Sequence, residues 1–163
     1  MKRVATQVRP PPSREKSPGA IPVNYDREIG TVLNEAKINA YNGLVKTAEC
    51  FKKAPHSGVI PFMPDTILLQ QDVDVATALR MLEEEKKGHP PFSDLRQLIE
   101  ARNKLVGKMR IIAFGQFLEE RGIRSYPYIG INGSEIFISL LRETFGTDKD
   151  FYALVDVQQV PLR

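Results

Sequence analysis

Proline placement constrains this chain more than any other feature. Proline fixes φ and donates no N–H, so it ends helices and is excluded from the interior of a hydrogen-bonded ladder. Five of the twelve prolines fall in the first 22 residues (Pro10, Pro11, Pro12, Pro18, Pro22). Three more, Pro55, Pro61 and Pro64, fall within ten residues, and Pro90-Pro91, Pro127 and Pro161 stand further on. Regular structure must form between these points.

The first 22 residues also carry five basic side chains (Lys2, Arg3, Arg9, Arg14, Lys16) against one acid, Glu15. Residues 23–163 then hold 18 basic and 19 acidic groups, a net of −1. The formal charge of +3 therefore belongs to a basic, proline-rich tail, residues 1–22, and not to the body, residues 23–163, which reads as one domain. A near-neutral body argues against a surface that wraps duplex nucleic acid. The tail's composition favours extended, solvated geometry. Its reading is an arm that docks on a partner; the plain alternative is a solubilising extension. No P-x-x-P spacing occurs. Ser17-Pro18 is a phosphorylation candidate that would offset about half of the tail's charge.

Helical periodicity is expected in four places. A first helix spans about Tyr25 to Lys53, with Ile29, Leu33, Ala36, Ala40, Leu44, Ala48 and Phe51 on one face and Ala54-Pro55 ending it. A connector, residues 55–64, carries Phe62 and Met63, which either cap the core or meet a partner. A second helix runs from Asp65 or Asp72 to Lys87, stopped by Gly88 and Pro90-Pro91. The third, from Ser93 as N-cap candidate, with Asp94 suited to the first turn, to Arg121, would be some 28 residues and ~42 Å long, the central element of the domain. Residues 123–131 read as an extended segment or short edge strand because of Pro127. Asn132 and Glu135 read as a capping pair opening a fourth helix through Phe145, and Phe151–Val157 alternate as a terminal strand. The expected fold is thus mainly α: a small helical bundle around one long helix, with one or two short C-terminal strands.

The chemistry-bearing residues form few sets. His56 and His89 sit in proline-rich breaks, and Cys50, six residues before His56, lacks a partner for a disulfide or a multi-cysteine zinc site. Asp72/Asp74 and Asp148/Asp150 lack the spacing of a calcium loop and fit helix caps. Gly130–Ser134 offers backbone N–H groups but is neither a Walker loop nor a dinucleotide fingerprint. Asn132-Gly133-Ser134 matches a glycosylation acceptor, unsupported by any secretory signal. No cofactor is implied. On the third helix, Arg96, Arg102, Lys104, Lys108 and Arg110 against Glu100 give a local +4, though not one stripe. Tyr126 and Tyr128 alternate about Pro127 as base-stacking residues would.

No apolar run approaches the ~18 residues of a membrane span. The basic first 21 residues resemble a mitochondrial address in composition, but their prolines prevent the amphipathic helix such addresses form. The leading expectation is a non-enzymatic structural subunit of a large intracellular, cytoplasmic assembly whose partners are other protein subunits, docking through the arm. The residues expected to make contact are Lys2, Arg3, Arg9, Arg14, Lys16, Arg102, Lys104, Lys108, Phe62 and Met63. The rival is a nucleic-acid-binding or regulatory module using the tail and the helix around 95–118, and a small enzyme comes third.

Overall fold

A computed structural model of the chain describes residues 19–85, 92–102 and 110–157. It contains nine strands and five helices among those residues, in the order β1 (Ile21–Asn24), α1 (Ile29–Ala36), β2 (Asn39–Ala40), α2 (Leu44–Thr47), α3 (Glu49–Lys52), β3 (Val59–Phe62), β4 (Pro64–Leu68), α4 (Val75–Glu85), α5 (Leu95–Ala101), β5 (Arg110–Ile112), β6 (Leu118–Glu120), β7 (Ile123–Asn132), β8 (Glu135–Arg142) and β9 (Phe151–Asp156). The core is a mixed seven-stranded sheet of order β2-β8-β7-β5-β9-β4, with β6 paired to β7; β1 and β3 form a separate antiparallel pair. The expected helical bundle is therefore incorrect: the sheet is the central element, and no long helix organises the described chain.

The sheet buries both faces. Ile111, Ala113, Ile129, Ile138 and Leu154 share one core with α1, α5, Val45 of α2, Phe51 of α3 and the β1–β3 pair. Ile112, Tyr126, Leu141, Phe151 and Ala153 form a second core with Leu69, Phe114 and the Val75, Ala78 and Leu82 face of α4. A strand buried on both faces loses polar alternation and reads as a continuous apolar run, which a short window does not separate from a buried helix. That ambiguity accounts for the expected third and fourth helices. Among its described residues the third is helical from Leu95 to Ala101, opened by a capping box in which Asp94 accepts from the Gln97 backbone N–H. Ile111 and Ile112 then lie in a central strand. The fourth is the strand β8, paired to β7 along its whole length.

Two glycine turns force these hairpins. Glu120 pairs with Ile123 across Arg121-Gly122, both at positive φ (54° and 79°), the requirement of a type I′ turn. Asn132 pairs with Glu135 across Gly133-Ser134, with Gly133 at φ 67°, so the suspected capping pair closes a two-residue hairpin. Pro127 stands inside β7, not on an edge. Its carbonyl accepts from the Ala113 N–H, just past the end of β5, and β6 does not begin to pair until Ser125. The N–H that proline lacks thus falls in the gap between two neighbouring strands.

The first expected helix breaks into α1, β2, α2 and α3. Lys37, at φ 60°, caps α1 in the left-handed conformation and turns the chain into β2. The proline-rich connector is no loop: Val59–Phe62 and Pro64–Leu68 are strands. β1 begins at Ile21, within the segment assigned to the tail. The expected second helix is α4, and the expected terminal strand is β9, although β9 lies inside the sheet, parallel to β5.

At one border of the sheet, β4 directs Met63 and Leu69 toward β9, through the Val157 N–H donating to Met63 O and the Leu69 N–H donating to Phe151 O. Strand alternation then turns the backbone of Pro64, Thr66 and Leu68 outward. Pro64 has no N–H, and the Thr66 N–H donates to the Asp65 carboxylate at 2.8 Å, so most of this border is closed to a further strand.

Candidate functional site

Cross-strand register aligns Asn39 (β2), Phe137 (β8) and Gly130 (β7) in one row, and Arg110 of β5 beside Phe151 of β9. The β5–β7 register extends to place Arg110 opposite Gly130. Directly paired residues share a face, and this is the face that α4 covers only at its other end. Between Phe137 and Arg110 the row has a gap, because Gly130 has no side chain. A Cβ there would lie 2.8 Å from the Phe137 ring. The ring therefore rests on the β7 backbone, and Tyr41 stacks on it at 4.4 Å and 6° between planes.

The result is an open cleft of about 620 Å3 lined by Tyr41, Arg110, Gly130, Ile131, Asn132, Gly133 and Phe137. Tyr41 is 49% exposed, and Ile131 is exposed beside it. The Tyr41 hydroxyl donates to Glu135 Oε1 at 2.6 Å and accepts from the Asn132 amide at 3.3 Å, while the Asn39 amide donates to Glu135 Oε2. The hydrogen bond to Glu135 raises the Tyr41 pKa, so the phenol stays protonated at neutral pH. Each Glu135 oxygen accepts one of these bonds, so the carboxylate holds Asn39 and Tyr41 together. The Arg110 guanidinium lies 5.9 Å from the centre of the Phe151 ring and has no carboxylate partner among the described residues. The cleft offers an aromatic plane, a cation and amide groups.

The second polar constellation is buried and belongs to the scaffold. Asp94 accepts from the Gln97 N–H at 2.9 Å and from the Tyr25 hydroxyl at 2.7 Å. Burial pushes the Asp94 carboxyl above its usual range and, with the facing carboxylate, pushes the Tyr25 phenol far up. Arg96 reaches the carbonyls of Phe51, Arg27 and Lys52, which ties α5 to the end of α3. Its Nε and the Ser93 hydroxyl are buried without a partner. Exposed His56 packs edge-on to Tyr25 at 5.0 Å.

Of the residues expected to make contact, Lys2, Arg3, Arg9, Arg14, Lys16, Lys104 and Lys108 lie outside the described residues, as does His89. Phe62 is 0% exposed and caps the core, one of its two anticipated positions. Met63 is half-buried, its N–H donating to Asp156. Arg102 ends α5, donating to the Ile99 carbonyl at 3.1 Å. Arg96 is buried, Arg110 is on a strand, and Tyr126 is in the second core, so these three do not take the places expected of them on a helical basic surface and in a base-stacking pair. Gly130–Ser134 begins no helix.

Sequence reading missed Tyr41, Asn39, Phe137 and Glu135. The available signal was the Asn-Gly-Ser-Glu turn, read as a hairpin. Cys50 is a free, half-buried thiol whose pKa burial raises. Among the described residues no group of three or more His, Cys, Asp and Glu side chains is placed to hold a metal ion, and no helix is long and apolar enough to cross a membrane. No family model, curated protein or solved structure matches the chain.

Proposed function

We propose that the protein is a non-enzymatic subunit of a larger intracellular assembly, and that it binds a neighbouring protein subunit through the open half of its sheet, with the basic arm as a second contact. The observation that supports this reading is the Tyr41–Phe137 stack beside Arg110, which has no carboxylate partner among the described residues. An exposed aromatic pair next to a cation has the composition of an interface anchor. The polar groups that could otherwise do chemistry support the same reading. Asp94 caps a helix, Glu135 orders Tyr41, and Arg96 ties α3 to α5.

The test is purification of the tagged full-length chain from native material, beside the variant carrying Tyr41→Ala and Arg110→Glu. Wild type should recover a fixed set of protein subunits in stoichiometric amount, and the variant, matched to wild type by circular dichroism, should recover at least tenfold less. Equal recovery by the variant would refute the assignment of the site. Recovery that nuclease treatment abolishes would replace the protein partner with a nucleic acid.

A further inference from the structure

The opposite end of the sheet carries a second recess that the proposed function does not use. A groove of about 590 Å3 runs between the end of β4 and α4, lined by Leu68, Leu69, Gln70, Ala78, Met81, Leu82, Glu84 and Glu85. Its floor is Leu69, Ala78 and Leu82 of the second core, and Met81, 42% exposed, stands at its rim. The surroundings are acidic. Residues 64–87 and 146–150 hold eight Asp and Glu against four basic groups, Arg80, Lys86, Lys87 and Lys149, a net of −4. They are neighbours in space, because Asp72 and Val75 bond backbone to backbone with Thr147 and Phe145.

We infer that this groove is the docking site of the chain's own N-terminal arm, residues 1–18. Three observations select that occupant. The first is charge. The arm holds five basic groups and one acid, and Arg9, Arg14 and Lys16 bracket Pro10-Pro11-Pro12. Proline rings supply apolar surface for Met81 and the leucine floor, and their fixed φ lowers the entropy lost on docking.

The second is where the arm ends. It joins β1 at Ile21, which pairs with Phe62, so it leaves the body beside the start of β4. The groove lies at the end of that five-residue strand, about 15 Å on at ~3.3 Å per residue. Eighteen extended residues reach about 56 Å at ~3.1 Å each, so the span is covered with slack. The third is concentration. A tethered segment within reach of its site has an effective concentration in the mM range, above that of a second copy in dilute solution. The arm is therefore held on its own body in the free subunit, and a partner that binds the arm must first displace it. This inference stands without the function proposed for the aromatic cleft.

A spin label tests it in the full-length chain. Ser13→Cys in a Cys50→Ala background carries a nitroxide, and the methionine methyl groups are followed by NMR at low salt and low protein concentration. The Met81 methyl should lose more than half of its intensity relative to the reduced label. Glu84→Lys with Glu85→Lys should restore the signal, and adding Arg9→Glu, Arg14→Glu and Lys16→Glu to that chain should quench it again. Full Met81 intensity in the labelled wild-type background would overturn the inference, as would quenching indifferent to Glu84→Lys and Glu85→Lys. A mixture of spin-labelled chains with separately isotope-labelled chains gives the last control. Equal quenching across chains would make a second copy the occupant and overturn docking on the same body.

Discussion

Replacing Asp94 by alanine perturbs the one buried carboxylate that joins α5 to the chain before α1. Two bonds are lost together. The Gln97 N–H loses its capping acceptor, worth about 1 kcal/mol. The buried Tyr25 hydroxyl loses its acceptor as well, and an orphaned buried donor costs about 1–3 kcal/mol. The expected destabilisation is about 2–4 kcal/mol in all, a large part of the 5–15 kcal/mol of a typical domain. Asparagine separates the causes. Its carbonyl oxygen keeps the cap, but its amide donates to Tyr25 and leaves the hydroxyl proton without that acceptor, so Asp94→Asn should cost about 1 kcal/mol less than Asp94→Ala at neutral pH.

The pH dependence has a definite sign. Burial raises the Asp94 carboxyl in the folded state, so the folded chain holds that proton more tightly than the unfolded chain. The stability this supplies is present below the unfolded value of about 3.9 and is lost as pH rises through the folded value. Relative to wild type, Asp94→Asn should therefore gain stability as pH rises from about 4 to 7. Urea unfolding followed by far-ultraviolet circular dichroism, with matched m-values, measures each difference. A cost below about 1 kcal/mol for Asp94→Ala, or a pH-independent offset for Asp94→Asn, would refute the reasoning.

Other positions give sharper steric outcomes. A Cβ on Gly115 would sit 2.6 Å from the Phe92 carbonyl oxygen and 2.7 Å from that of Ser93, both backbone, so Gly115→Ala should cost about 1–3 kcal/mol and lower Tm by several degrees in a thermal scan. Gly122, at φ 79° with open space around it, should lose about 1 kcal/mol to alanine through backbone strain alone, measured by the same unfolding assay.

What the sequence made legible was decided by exposure. α4 has a wet face and a dry one, and the terminal strand alternates at its start, so both were readable. Ile111-Ile112-Ala113 and Ile136–Leu141 are apolar on both faces because the sheet is covered on both sides, and there helical and strand periods coincide. The deciding signals were the turns, Arg121-Gly122 and Gly133-Ser134, which end helices and close hairpins with the same residues. Pro127 misled because its tolerance depends on a gap in a neighbouring strand, a tertiary fact. The cleft was illegible for a related reason. Tyr41 and Glu135 lie 94 residues apart, and the parallel pairing of β2 with β8 brings them together.

The closed border at β4 bears on how the protein behaves when crowded. A sheet that ends in free N–H groups can recruit another sheet, and growth by that route has no natural stopping size. Here proline removes one donor and Asp65 holds another. A strand approaching that flank therefore finds two of its three outward donors gone, so fibre growth by backbone pairing is weakened there and side-chain contacts carry more of any association.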